Sequence, residues 1–237
     1  MSHKTLLFDI DNTLLDFYSA EKHALQALLA EMDIELTGEH LATYQRINRK
    51  LWQAFKQGEI TKHEIEDQRF YRFFKQLGQI VDGDQMEEKY HHYLDQRHEL
   101  LGNSKAVLEK LVHDYDLYVV TNGGATTQYK RLKAAQLDHL FKDIFISEEI
   151  GYQKPMIEYF NYVFSQISNL NKKNTLLIGD SLTADILGGK QANIETVWLN
   201  AQKITNTTSI KPDYTIYNLE ELLPILMKDP LKATSIT

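Results

Sequence analysis

The stretch Leu6-Leu7-Phe8-Asp9-Ile10-Asp11-Asn12-Thr13-Leu14 decides how the rest of the chain is read. An apolar run close to the N-terminus breaks into two carboxylates one residue apart. Residues two apart on an extended chain point to the same side. Asp9 and Asp11 are therefore expected to face whatever lies beyond the carboxyl end of a buried strand over residues 4–10. Two carboxylates so close repel each other, a costly arrangement unless a cation or a shared proton relieves it. Asp, Asn and Thr also serve turns and caps, so the weight of this stretch depends on what the remaining chain brings to it.

Working outward, residues 18–97 carry helical periodicity and almost no strand signal. Ala24, Leu25, Leu28, Leu29 and Met32 form one apolar stripe at helical spacing. A second helix carries Leu41, Tyr44, Ile47, Leu51 and Phe55. Thr61 followed by Glu64 resembles a capping box that opens a third helix, with Ile65, Phe70, Phe73, Phe74 and Leu77 as its buried side. A fourth helix is expected over residues 85–97. After Gly102 strands and helices alternate. Strands are expected at 116–122, 144–147, 175–180, 196–199 and 214–217. Helices are expected from Asn103 or Ser104 to 111, at 125–135, at 155–167 with Pro155 in the first turn, at 182–191 and at 219–227. Residues after Asp229 read as frayed. Strands alternating with helices imply a parallel sheet covered on both faces. The expected fold is a doubly wound, Rossmann-like α/β core over residues 1–15 and 99–237, with an α-helical module inserted at 16–98.

The composition narrows the function. At 237 residues, 43% hydrophobic and 25% charged, the chain has the profile of a globular protein with one large domain or a domain plus an insertion. A net charge of −7 disfavours wholesale binding to nucleic acid or to an anionic membrane. It also requires a locally positive site for any anionic substrate. The absence of cysteine excludes disulfides, thiolate metal sites and cysteine nucleophiles. Met1-Ser2-His3-Lys4 shows no signal-peptide pattern, and no apolar run approaches membrane-spanning length. A cytoplasmic location is the expectation.

In open α/β sheets, sites lie outside the carboxyl ends of the strands. The first strand ends in Asp9 and Asp11, and the second in Thr121-Asn122-Gly123. Lys154-Pro155 follows the third, and the fourth ends in Gly179-Asp180-Ser181 with Asp185 a turn further on. Acidic oxygens without nearby histidine or cysteine suit a hard cation, Mg²⁺ before Zn²⁺. A lysine and the amides of Asn122-Gly123 beside that cation would hold a phosphate. A carboxylate can itself be a nucleophile in phosphoryl transfer, and a second one can protonate the leaving oxygen and then activate water. Gly123-Gly124 lacks the remainder of a P-loop. The histidines follow no zinc-protease pattern, and His91, His92 and His98 read as solvated.

The motifs DIDNT, TNG, the lysine of QKP and GDSLTAD, in this order and spacing, resemble the haloacid dehalogenase superfamily of phosphatases over essentially the whole chain. The resemblance implies Asp9 as nucleophile and Asp11 as acid/base. It implies that Thr121 and Lys154 hold the transferred phosphate, and that Asp180 binds Mg²⁺ with Asp9 and the backbone carbonyl of Asp11. Asp185 would support the metal or Lys154 from behind. The helical insertion looks like the superfamily's cap, which closes over the substrate. True dehalogenases lack the second carboxylate of the first motif, so Asp11 argues for phosphatase chemistry.

DIDNTLLDF, TNGGATTQYKRL and SEEIGYQKP look most like the branch of 5′-nucleotidases related to the pyrimidine nucleotidases, some of which accept non-canonical nucleotides. That resemblance implies a Mg²⁺-dependent phosphomonoesterase acting on a small phosphate ester, a nucleoside 5′-monophosphate. The alternative on the same scaffold is a sugar-phosphate or phosphoglycolate phosphatase. A phospho-receiver signalling domain is a remote alternative. Among the aromatic residues of the helical module, Phe17, which directly follows the first motif, and Trp52 are the candidates for the substrate pocket. Gln153 and Met156 depart from the pattern around Lys154-Pro155. Asn193 stands where relatives often have glycine, a left-handed position that asparagine tolerates.

Overall fold

The computed structural model describes residues 4–227. The N-terminal lead at residues 1–3 and the end after Asp229 lie outside the described residues. The chain divides into two compact units, Met1–Asp16 with His98–Thr237, and Phe17–Arg97.

The first unit is built on six parallel strands: β1 (Thr5–Phe8), β2 (Asp116–Thr121), β3 (Asp143–Ile146), β4 (Thr175–Gly179), β5 (Glu195–Leu199) and β6 (Tyr214–Ile216). Their order is β3-β2-β1-β4-β5-β6, with every neighbouring pair parallel. Strand alternation divides the core in two. Leu6, Phe8, Leu117, Val119, Leu176 and Ile178 are buried in one cluster. Leu7, Tyr118, Val120 and Leu177 are buried in the other. Helix α5 (Ser104–Leu111), α6 (Ala125–Ala134) and α10 (Leu222–Met227) contribute Val107, Leu108, Leu132 and Leu222 to the first cluster. Helix α8 (Ile157–Gln166) contributes Tyr159, Phe160 and Val163 to the second. Two short helices, α7 (Ser147–Ile150) and α9 (Leu187–Gln191), also belong to this unit. Because β1 is central and every strand runs the same way, the carboxyl ends of β1, β2 and β4 lie side by side.

The second unit holds α1 (Phe17–Ala30), α2 (Gly38–Lys56), α3 (Lys62–Gln76) and α4 (Gly83–Leu94). Their apolar stripes meet in one core that includes Leu25, Leu28, Tyr44, Leu51, Phe70, Phe73, Phe74 and Tyr90. Thr61 caps α3 in a full capping box with Glu64. Thr37 does the same for α2 with His40 in the glutamate's place. His91 departs from the solvated reading, because its Nε2 lies 2.8 Å from Glu87 Oε1.

Two local features differ from the pattern read along the chain. Pro155 is outside α8, which begins at Ile157, and the Lys154–Pro155 peptide bond is cis. The helix expected over residues 182–191 starts as a π-helical turn at Leu182–Ile186 before continuing as α9. Asn193 takes φ +58°, the left-handed conformation anticipated for it.

Candidate active site

The apolar stretch that makes β1 a central strand delivers Asp9 to the rim as the first residue beyond it. Asp9 N–H still donates to Ile178 O of β4 at 2.9 Å, so the backbone carrying the carboxylate is anchored to the neighbouring strand. The chain then turns sharply, with Asn12 at φ +58°, and Thr13 Oγ1 donates to Asp9 Oδ2 at 3.5 Å.

Lys154 is almost fully buried. Its ammonium donates to Asp9 Oδ1 at 2.8 Å, to Asp185 Oδ1 at 2.6 Å and to Val120 O at 2.7 Å. Three acceptors match the three protons of an ammonium. The side chain of Asn122 holds the Lys154 backbone from both sides. Its Nδ2 donates to Lys154 O at 2.9 Å, and its Oδ1 accepts from Lys154 N at 2.8 Å. The Asn122 side chain thus positions the lysine loop, in addition to the phosphate contact expected of its backbone amide.

Asp185 reaches this cluster because the π turn sets its side chain back over the end of β4. Its Oδ2 accepts from Ser181 N at 3.0 Å, and a Cβ on Gly179 would collide with its carboxylate. Asp180 is half-buried, and its carbonyl accepts from Trp198 Nε1 at 2.8 Å. One carboxylate oxygen from each of Asp9, Asp180 and Asp185 lies within 4.8 Å of the others.

Burial pushes the Asp9 carboxyl up to about 7 against the opposing pull of Lys154, with Asp185 and Asp11 adding to the rise. Burial disfavours the Lys154 ammonium, but Asp185 and Asp9 together hold it well above the ordinary lysine range. Two carboxylates on one ammonium with a third beside them are left with excess negative charge, and the all-oxygen donor set suits a hard divalent cation.

Asp11 belongs to a different set of contacts. Gln128 Nε2 donates to its Oδ2 at 2.6 Å, and Arg131 Nη1 donates to its Oδ1 at 2.5 Å. Gln128 Nε2 also approaches Thr121 Oγ1 at 3.4 Å, and Gly123 N donates to that oxygen at 3.1 Å. Thr121 only accepts in these contacts, so its O–H proton is left for another oxygen.

The structure therefore gathers Asp9, Asp11, Thr121, Asn122, Lys154, Asp180 and Asp185 at one sheet rim. Phe17 and Trp52 lie in the helical unit, partly buried against its core, with Trp52 edge-on to Phe55 at 5.5 Å. Sequence reading missed Gln128 and Arg131. Their signal was polar character at consistently buried positions of α6, where Thr127, Gln128, Arg131 and Leu132 form the inward face.

Comparison with known proteins gives a consistent assignment. The family described as haloacid dehalogenase-like hydrolase matches residues 6–199. The HAD-hydrolase YfnB of Bacillus subtilis is 46% identical over 94% of this chain and 95% of its own. Its crystal structure, bound to magnesium and showing interdomain movement, superposes with a TM-score of 0.91 over 95% of this chain and 99% of that one. The pyrimidine 5′-nucleotidase PynA of Streptococcus pneumoniae is 40% identical over 98% of both chains. The pyrimidine 5′-nucleotidase YjjG of Escherichia coli is 30% identical over 94% of this chain and 97% of its own. Among the described residues, no helix is long and apolar enough to cross a membrane.

Proposed function

This chain belongs to the haloacid dehalogenase-like hydrolases, and from that premise we propose that it hydrolyses nucleoside 5′-monophosphates, pyrimidine nucleotides first, through a phosphorylated Asp9. The observation that carries the chemistry is the placement of Asp9, buried at the end of β1 with Lys154 on one oxygen and Asp11 two residues away. The substrate class rests on the likeness to PynA and YjjG, which extends over nearly the whole of each chain.

In the first step a carboxylate oxygen of Asp9 attacks phosphorus, and the bond from phosphorus to the nucleoside oxygen breaks. Asp11 gives its proton to that departing oxygen. In the second step Asp11 takes a proton from water, and the water oxygen attacks the phosphorus of the aspartyl-phosphate. Inorganic phosphate is released and Asp9 is restored. Lys154 counters charge on the transferred group, and the Thr121 hydroxyl donates to one of its oxygens.

Asp9 and Asp180, with the backbone carbonyl of Asp11, would hold Mg²⁺. The clustering of the Asp9, Asp180 and Asp185 oxygens fits such an ion, and YfnB has been seen with it. When bound, the ion supplies positive charge to the phosphoryl oxygens. Asp185, already committed to Lys154 and Ser181 N, serves as the support that keeps the lysine in place. The helical unit is read as the family's cap, spanning residues 16–98. Interdomain movement in YfnB is in keeping with that role.

The test is phosphate release in the presence of Mg²⁺ from a panel of nucleoside monophosphates and sugar phosphates, with Asp9→Asn as control. Preference for pyrimidine monophosphates, abolished in the variant, is the expected outcome. Preference for sugar phosphates would retain the chemistry and replace the substrate class. Wild-type rates in Asp9→Asn would remove Asp9 as nucleophile.

A further inference from the structure

We propose that Gln128 and Arg131 of α6 are positioning residues for Asp11, fixing both carboxylate oxygens of the group that carries the proton to the leaving oxygen. The inference rests on the acid/base role given to Asp11 above.

Asp9 and Asp11 are held by unlike means. Asp9 is fixed from behind by β4 and from the side by Lys154 and Thr13. Asp11 lies beyond the strand, and its side chain keeps a quarter of its surface exposed. A carboxylate on such a turn would sample several rotamers. It is held instead at both oxygens, by Gln128 Nε2 and Arg131 Nη1 at 2.6 and 2.5 Å.

The two donors stand three positions apart in sequence, on one face of α6. That face is inward: Gln128 is 1% exposed and Arg131 0%. Burying a guanidinium is costly without a charged partner, so its place against Asp11 is a built feature. A second observation concerns the strand end. A Cβ at Gly123 would run into the Gln128 carboxamide, so glycine there gives the amide room beside Thr121. The chemistry of the pair also suits the task. A guanidinium does not give up its proton and a carboxamide is not basic. Both can orient Asp11 without taking the proton it must deliver.

The experiment compares two esters whose leaving groups differ in their need for a proton. Uridine 5′-monophosphate expels an alkoxide that needs one. p-Nitrophenyl phosphate expels a nitrophenolate that does not. The variants are Gln128→Met, which removes the carboxamide's bond to Asp11 together with its longer contact to Thr121, and Arg131→Lys, which keeps the buried charge, leaves the Thr121 contact in place and alters the reach to Asp11. Both are first checked for wild-type circular dichroism and elution volume. The expected result is a loss in kcat/KM of roughly 10²-fold on the nucleotide against less than about 3-fold on the aryl ester. The aryl ester should also show a burst of nitrophenolate, because water attack on phosphorylated Asp9 slows. Equal losses on the two esters, as a merely structural role would produce, or no loss on either, overturn the positioning role alone. A wild-type protein that releases phosphate from neither ester overturns the proposed function and this inference with it.

Discussion

In the helical unit Arg69 is buried between Glu87 and two aromatic rings, whereas at the sheet rim Lys154 is buried between two carboxylates with a third close by. The Arg69 guanidinium donates through Nε to Glu87 Oε2 at 2.6 Å and through Nη2 to Oε1. It also donates to Asn48, which bonds Glu21 at 3.0 Å, and its Cζ lies 4.7 Å from the Tyr90 ring centroid. One residue from each of α1 to α4 thus joins a network centred on one matched, bidentate pair. The rim does the reverse. Asp9 and Asp185 share one ammonium, Asp180 adds a third carboxylate beside them, and the cluster sits where loops leave parallel strands. Buried charge alone does not separate structure from chemistry; the balance of charge and the place in the fold do.

The sharpest way to break this comparison is to neutralise each side in turn. Asp9→Asn should abolish phosphate release while leaving the urea midpoint unchanged or slightly higher, since burial already disfavours the carboxylate. A clear loss of stability would show that the rim is structural after all. Lys154→Met should lose activity and about 3–5 kcal/mol of unfolding free energy, because Asp9 and Asp185 are then left buried without their cation.

Arg69→Met should cost the helical unit a similar amount, about 3–5 kcal/mol by denaturant unfolding. Pairing it with Glu87→Leu should recover most of that loss, because an apolar pair can replace a buried ion pair. No such recovery of activity is expected from Asp9→Asn combined with Lys154→Met. If the Arg69/Glu87 double variant stays as unstable as the single one, the matched-pair reading of the helical unit is wrong.

Acid sharpens the contrast at lower cost. Burial raises the Glu87 carboxyl, but Arg69 and His91 more than offset it, and the group lies below its ordinary value of 4.5. A depressed folded value means that the stabilisation is complete above the unfolded value and is lost as the pH falls through the folded one. The helical unit should therefore weaken progressively below about pH 4.5, and Glu87→Gln should flatten that dependence in urea midpoints measured across the range. The smallest effect is expected at a cap: Thr61→Ala removes one half of the α3 capping box and should cost about 1 kcal/mol by thermal unfolding.

Much of this was legible in the chain itself, for stated reasons. Short apolar runs at Leu6–Phe8, Leu117–Val120 and Leu176–Ile178, each followed by Asp, Asn or Gly turn residues, read as buried strands, and the alternation with helices made the sheet parallel. Thr61 and Glu64 declared the start of α3 because their reciprocal bonds are local. Other features were not legible, because they depend on neighbours distant in sequence. The π turn that sets Asp185 over Gly179 has no periodicity to betray it. The use of Asn122 to clamp the Lys154 loop joins residues 32 positions apart. Gln128 and Arg131 read as ordinary polar residues of a helix until α6 packs and turns them inward to Asp11.

By itself the sequence determined the family, the order of strands and helices, and which carboxylates, hydroxyl and lysine end at the strand rim, since these follow from local periodicity and from motifs read in order. Only the tertiary structure decided which groups bond to which: Lys154 to Asp9 and Asp185, Arg131 and Gln128 to Asp11, Arg69 to Glu87. Hydrogen bonds and ion pairs act over a few ångströms, and the distances between residues far apart in the chain exist only once the sheet and the helices have packed.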